Sequence, residues 1–199
     1  MFVGEVFRKA IHLGSIVIPI AAALYDRLTM VLVLAGIAVL LVVTDFMKLR
    51  HDRFKQLFLS VFGRVLREKE QSGAMTASTI IIASSALTIL VFRREIAVSV
   101  LVFVVLGDSA AALIGRHFGR IRLIHGRTLE GSLAMLVTCL FASAGLMYAA
   151  SIMGWNLTSL SLIVGALVAT VAELVELPLD DNLRIPILSG LAMELILPG

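Results

Sequence analysis

Long apolar runs separated by short polar stretches set the rhythm of this chain. Runs approaching the roughly 20 residues needed to cross a bilayer fall near residues 6–25, 28–47, 74–92, 96–114, 131–153, 158–176 and 185–198. They predict about seven transmembrane helices. Several are short or glycine-rich, so a tilted or re-entrant segment enclosed by protein belongs to the same expectation. One intervening stretch is patterned differently. Phe54, Leu57, Phe58, Val61, Phe62, Val65 and Leu66 recur at spacings of three and four, while Asp52, Arg53, Lys55, Arg64 and Arg67 occupy the remaining face. That pattern predicts an amphipathic helix lying in the membrane interface, serving as an anchor or as a platform for an amphipathic substrate. Ser72 or Thr76 is placed to cap the helix that follows.

Composition agrees with the pattern. Hydrophobic residues make up 59% of the 199 and charged residues 16%, and the mean hydropathy is +1.02. A water-soluble domain is excluded on these figures, and a single membrane-embedded domain over residues 1–199 is expected. The fold class is therefore all-α: a polytopic helical membrane bundle with one interfacial amphipathic helix. The single Cys139 lies inside an apolar run, which rules out a disulfide framework and a thiolate metal site and predicts a small buried residue. Arg8 and Lys9 ahead of an apolar run resemble a signal peptide, but no cleavage site follows, and a retained first span is expected.

The sequence pI near 9.4 raises nucleic acid as a partner, yet the basic residues sit between apolar runs. With the N-terminus cytoplasmic, fourteen of the seventeen Lys and Arg residues fall on the cytoplasmic side and only Arg27, Arg93 and Arg94 outside. This is the positive-inside bias of a membrane protein, and it fits topology and anionic phosphate ligands better than nucleic acid. It also puts every polar cluster of interest on one face.

Those clusters are four. Glu5, Arg8, Lys9 and His12 would stack on one side of a helix, and a carboxylate and a histidine beside two bases exceed what membrane entry requires. Asp45 sits at the end of an apolar run, three residues before Lys48, as an ion pair or a functional acid. Glu173 and Glu176 are one turn apart and precede Asp180, Asp181 and Asn182, hard oxygen donors suited to Mg²⁺. The fourth is a glycine-punctuated island, GDSAAALIGRHFGRIRLIHGRTLEGS, from Gly107 to Ser132. Asp108 emerges from apolar sequence, where a bare carboxylate is costly without a cation. Gly107, Gly115 and Gly119 allow close approach of backbone to phosphate or of one helix to another. Arg116 and Arg120 are one turn apart, and Arg127 precedes Thr128, Glu130 and Gly131. No GxxxxGK[ST] or GxGxxG is present. Pro186 suits the first turn of the last helix, and Glu194 reads as structural.

GDSAAALIGRHFGR with RTLEGS, together with RKAIHL near the start, QSGAMTAST in the middle and LPLDDNLRIPILSG near the end, resembles the polyprenol kinase family, which includes dolichol, phytol and farnesol kinases and CTP-dependent diacylglycerol kinases. The resemblance covers nearly the whole chain, with the motifs in order. It implies transfer of a phosphoryl group from a nucleoside triphosphate, usually CTP, to the hydroxyl of a membrane lipid alcohol. Arg127 stands where the family often has lysine, and the two cations hold phosphate differently.

Joined to the residues, the resemblance implies Mg²⁺ or Mn²⁺ on Asp108, Asp180 and Asp181, with Glu130 and Asn182 as further oxygen donors. Arg116, Arg120 and Arg127 would hold triphosphate oxygens, helped by Lys9 or Lys48, alongside Gly107, Ser109, Gly115, Gly119, Thr128 and Gly131. The hydroxyl proton would pass to Asp45, Glu173 or His12, among which the sequence does not choose. Competing readings are a cytidylyltransferase or CDP-alcohol transferase, whose repeated aspartates are absent here, and a small transporter or scaffold, which would carry its acids at mid-depth. A prokaryotic plasma membrane is expected. The lipid alcohol, the choice between CTP and ATP, and homodimerisation are not fixed by the sequence.

Overall fold

The computed structural model describes residues 9–63, 66, 68–175 and 177–197, and these form an all-helical bundle. Glu5, Arg8, Arg64, Val65, Arg67 and Glu176, named above, lie outside the described residues. The helices are α1 (Lys9–Leu24), α2 (Arg27–Arg50), α3 (Asp52–Phe62), α4 (Glu68–Ser72), α5 (Ala77–Val91), α6 (Arg94–Phe118), α7 (Leu129–Met153), α8 (Ser159–Leu174) and α9 (Asp181–Ile196). Each apolar run of the sequence is thus represented by a helix among the described residues. Three of them, α2, α6 and α7, are long and apolar enough to cross a membrane, while α1, α5 and α8 are shorter apolar helices.

Capping fixes the boundaries. Asp26 accepts from Thr29 N at 2.8 Å to start α2, Thr128 accepts from Gly131 N at 3.2 Å to start α7, and Thr158 with Ser161 forms a capping box on α8. Asp180 caps α9 through Asn182 N at 3.0 Å. The last helix therefore begins at Asp181 rather than near 185, and Pro186 falls inside it instead of in its first turn. Gly154, at φ 67°, closes α7 in a left-handed conformation that glycine adopts without strain. Thr76 stands at the start of α5 as expected, but its own side chain makes no cap. Carboxylates from elsewhere meet the N–H groups at this end instead: Asp45 accepts from Thr76 N at 3.0 Å and Glu70 from Ala77 N at 2.9 Å.

α6 is the axis of the bundle. Its apolar window is 61% buried, against 22% for α2 and 28% for α7. Its first half packs against α1 and its second half against α7, while α8 pairs with α9 and α2 with α5. Ile96, Val100 and Phe103 of α6 meet Met135, Leu162, Ile185 and Met193 in the core. Outward-facing side chains are apolar too: Leu40 on α2, Phe141 on α7 and Leu195 on α9 are 68%, 83% and 89% exposed. Hydrocarbon on this scale facing outward from long apolar helices is the surface of a membrane protein. Hydroxyls within the helices are satisfied locally: Thr88, Ser99, Ser143 and Ser189 each donate to the carbonyl four residues earlier, as an environment without water demands.

α3 carries no buried residue, and Leu57, Val61 and Phe62 are exposed along one side. Phe58 lies 6.2 Å from Phe54 and 5.0 Å from Phe62, ring centre to ring centre, with Lys48 Nζ 5.6 Å away. An unburied aromatic stripe on an amphipathic helix fits seating in an interface.

Candidate active site at one end of the bundle

The antiparallel alternation of helices brings the start of α1, α5, α7 and α9 to the same end as the finish of α2, α6 and α8. A polar cavity of about 350 Å³ opens there, walled by Lys9 and His12 of α1, Asp108, Ala112 and Arg116 of α6, Arg127 of the following loop, and Asp180, Asp181 and Asn182 at the start of α9. Glu70 and Thr76 close another side. Asp108 and the Asp180–Asp181 pair, more than seventy residues apart in sequence, therefore face one chamber.

Asp108 follows a π-helical segment, Phe103–Gly107, within α6. Such a segment accommodates an extra residue per turn and is frequent at functional sites; here it precedes the acid that looks into the cavity. Lys9 Nζ is 3.7 Å and His12 Nε2 3.6 Å from Asp108 Oδ2, with the three side chains 34%, 12% and 17% exposed. His12 Nε2 is buried and has no hydrogen-bond partner.

Arg127 joins two helices. Its guanidinium reaches Glu173 Oε1 of α8 at 2.7 Å and Asp181 Oδ2 of α9 at 2.6 Å. Partial burial works against its charge, but Glu173, Asp181 and Asp108 outweigh that and raise its pKa above the ordinary arginine value. The other oxygen of Glu173 is buried without a partner. Arg184, itself buried, pairs with Asp181 and donates to Ala172 O at 3.0 Å. Asp181 is thus held between two arginines.

Several sequence candidates have other work. Asp45 and Lys48 do not line the cavity: they form a 3.0 Å ion pair in which Asp45 also accepts from Thr79 Oγ1 at 2.7 Å and Lys48 donates to Ala74 O at 3.3 Å. This clasp binds α2 to α5 and engages the Asp45 carboxylate and the Lys48 ammonium away from the cavity wall. Glu130 accepts from Ile121 N at 3.2 Å, tying down the loop outside the cavity beside Arg120. Ser109 donates to Val105 O at 2.7 Å. Gly107 is a packing residue, since a Cβ there would lie 2.8 Å from Cys139 Sγ. Gly115, Gly119 and Gly131 let α6 and α7 touch: a Cβ on Gly115 or Gly119 would strike Thr128, and one on Gly131 would sit 2.9 Å from Ala111 O. Gly115, Gly119, Thr128 and Gly131 also border a second cavity of about 430 Å³ that shares Ala112, Arg116 and Arg127 with the first.

The metal expectation changes in kind. Among the described residues no group of three or more His, Cys, Asp or Glu side chains has the arrangement of a metal site. Asp180 Oδ1 is taken by Asn182 N and Nδ2, and Asp181 is paired with arginine. Asp108, Asp180 and Asp181 share a wall without converging. The set does not suit a resident ion held by protein alone.

Two residues were missed in the sequence. Glu70, buried, accepts from Ala77 N at 2.9 Å and lines the cavity. Arg184 stands three residues after Asp181, the spacing of a helical ion pair.

Fold and site together define a membrane protein with a polar chamber, walled by cations and carboxylates, at one end of an apolar bundle. Similarity to known proteins then supports a lipid kinase-like family. The chain is 27% identical to CTP-dependent diacylglycerol kinase 1 of Eremothecium gossypii over 97% of its own length and 66% of that protein's. It is 32% identical to probable phytol kinase 1, chloroplastic, of Glycine max over 51% of its length and 37% of that protein's. An uncharacterized protein of Rickettsia prowazekii is 26% identical over 90% of this chain and 88% of its own. The chain thus spans less than two thirds of the length of the two kinases. No family model and no solved structure matches it.

Proposed function

We propose that the chain is a membrane lipid-alcohol kinase, transferring the terminal phosphoryl group of a nucleoside triphosphate, CTP by analogy with the diacylglycerol kinase, to the hydroxyl of a lipid alcohol. The observation that carries this reading is the single chamber shared by Asp108, Lys9, Arg116, Arg127 and the Asp180–Asp181 turn at one end of an apolar bundle. In the same reading seven helices span the bilayer, and this end, rich in Lys and Arg, faces the cytoplasm, where soluble nucleotide is found.

Phosphoryl transfer depends chiefly on positioning and on neutralising charge. Lys9, Arg116 and Arg127 hold the triphosphate; Glu173, Asp181 and Arg184 keep Arg127 in place. Asp108 would take the Mg²⁺ that comes with the nucleotide, with Asp180 or Asp181 lining the same chamber, and the ion would offset charge on the phosphates. The alcohol oxygen bonds to the terminal phosphorus as the bond to the bridging oxygen breaks. The diphosphate leaves, and the hydroxyl proton passes to His12. Of the three proton acceptors weighed, Asp45 is locked in the α2–α5 clasp and Glu173 is paired with Arg127; His12 lines the chamber.

The test is product identification. Purified protein receives Mg²⁺, CTP or ATP labelled in the terminal phosphate, and a panel of phytol, geranylgeraniol, long polyprenol and diacylglycerol. Labelled lipid phosphate with nucleoside diphosphate is expected; pyrophosphate release with a nucleotidyl-lipid product would replace this reading with cytidylyl transfer.

A further inference from the structure

Beside the polar chamber lies an apolar groove of about 650 Å³, within the range of small-molecule sites. Leu13 of α1, Leu106, Ala110 and Leu113 of α6, and Thr138 of α7 line it. Its wall also includes Lys9, Ala112 and Arg116, and these three residues wall the chamber too. A hydrocarbon surface and a phosphate-sized polar space therefore meet across one alanine methyl flanked by two cations.

We propose that this groove holds the hydrocarbon tail of the acceptor, and that the acceptor is a single-chain alcohol; the inference rests on the kinase reading above. Leu106, Ala110, Leu113 and His117 stand at intervals of four, three and four along α6, which makes one stripe about 16 Å long at 1.5 Å per residue. One stripe bordered by α1 offers a track one chain wide. Leu13 and Leu113, 43% and 61% exposed, open it to the lipid, so a substrate enters sideways from the bilayer. Lys9 and Arg116 mark the depth at which the tail ends, and a hydroxyl passing Ala112 reaches the chamber that holds Asp108 and His12. A diacylglycerol would fit one chain here and leave the second outside.

Two measurements on the full chain in nanodiscs test this. In the first, Ala110→Trp fills the track. The KM for geranylgeraniol should rise about tenfold or more, the scale on which apolar pocket contacts discriminate, while turnover of a short water-soluble prenol and the nucleotide KM stay unchanged. In the second, the wild-type protein is irradiated without nucleotide in the presence of a diazirine-bearing hexadecanol. Label should appear within residues 9–13, 106–117 or at Thr138, which line the groove, and be competed by geranylgeraniol but not by dioleoylglycerol or phospholipid. Label elsewhere, competition by phospholipid alone as for annular lipid, or an unaltered chain-length preference in Ala110→Trp overturns the groove assignment. The two readings fail separately: competed labelling of these residues with no phosphorylation of any alcohol retains the groove and removes the kinase, and phosphorylation without competed labelling does the reverse.

Discussion

Arg127 ties together three parts of the chain, because Glu173 and Asp181 belong to different helices and both lie within 2.7 Å of its guanidinium. Its removal leaves Glu173, only 2% exposed in its side chain, as an uncompensated buried acid. Arg127→Ala should lower phosphorylation about 100-fold or more, the usual loss when a donor to developing charge is deleted, and should also lower the melting temperature. Adding Glu173→Gln should restore much of the melting temperature and none of the activity; recovery of both would reduce Arg127 to a structural strut. Asp45→Asn should behave in the opposite way. It breaks the clasp with Lys48 and the caps on α5, costing about 3 kcal/mol by the measure of broken buried pairs, with the nucleotide KM of the folded fraction unchanged. The island from Gly107 to Ser132 and the acids at 180 and 181 were legible as candidates because charge is expensive next to apolar sequence. The clasp was not: Thr76 and Thr79 lie 31 and 34 residues beyond Asp45, and nothing local pairs them.

At the scale of the element, α6 and α7 are held closely enough that the glycines between them act on the site. A Cβ on Gly131 would be 2.9 Å from Ala111 O, and backbone cannot step aside as a flexible side chain can. Gly131→Val should destabilise the protein by about 1–3 kcal/mol, as overpacking does, and shift Arg127 with the loop that carries it. Loss of activity exceeding the loss of folded protein is the expected result, read from kcat per folded molecule; an active, stable variant would mean that the α6–α7 approach does not set the chamber. Hydrophobic periodicity located each of these helices, whereas the caps decided where they start. Asp180 extends α9 four residues before the apolar run that marked it, and Thr128 starts α7 at Leu129. The π segment before Asp108 left no mark in a sequence reading, since Phe103–Gly107 is apolar like the turns around it.

For the whole molecule the account requires sidedness. The polar chamber lies at one end, while the opposite end carries Arg93 paired with Glu194 at 2.7 Å and Arg27 donating to Leu90 O. Charge bias along the sequence expects the polar clusters on one side, but only packing brings Asp108 and the Asp180–Asp181 turn to one chamber. In a Cys139→Ala background, Ile121→Cys should react with an impermeant maleimide only from the cytoplasmic side and Trp155→Cys only from the other; labelling of both from one side would refute the seven-span arrangement. The most direct measurement is phosphoryl transfer itself, from terminally labelled CTP to geranylgeraniol with Mg²⁺, by wild-type protein and by a folded Asp108→Asn variant. The account predicts labelled lipid phosphate from the wild type and at least a 100-fold loss in the variant. A wild type that labels no lipid alcohol from any nucleotide, or an Asp108→Asn protein with undiminished turnover, would contradict it.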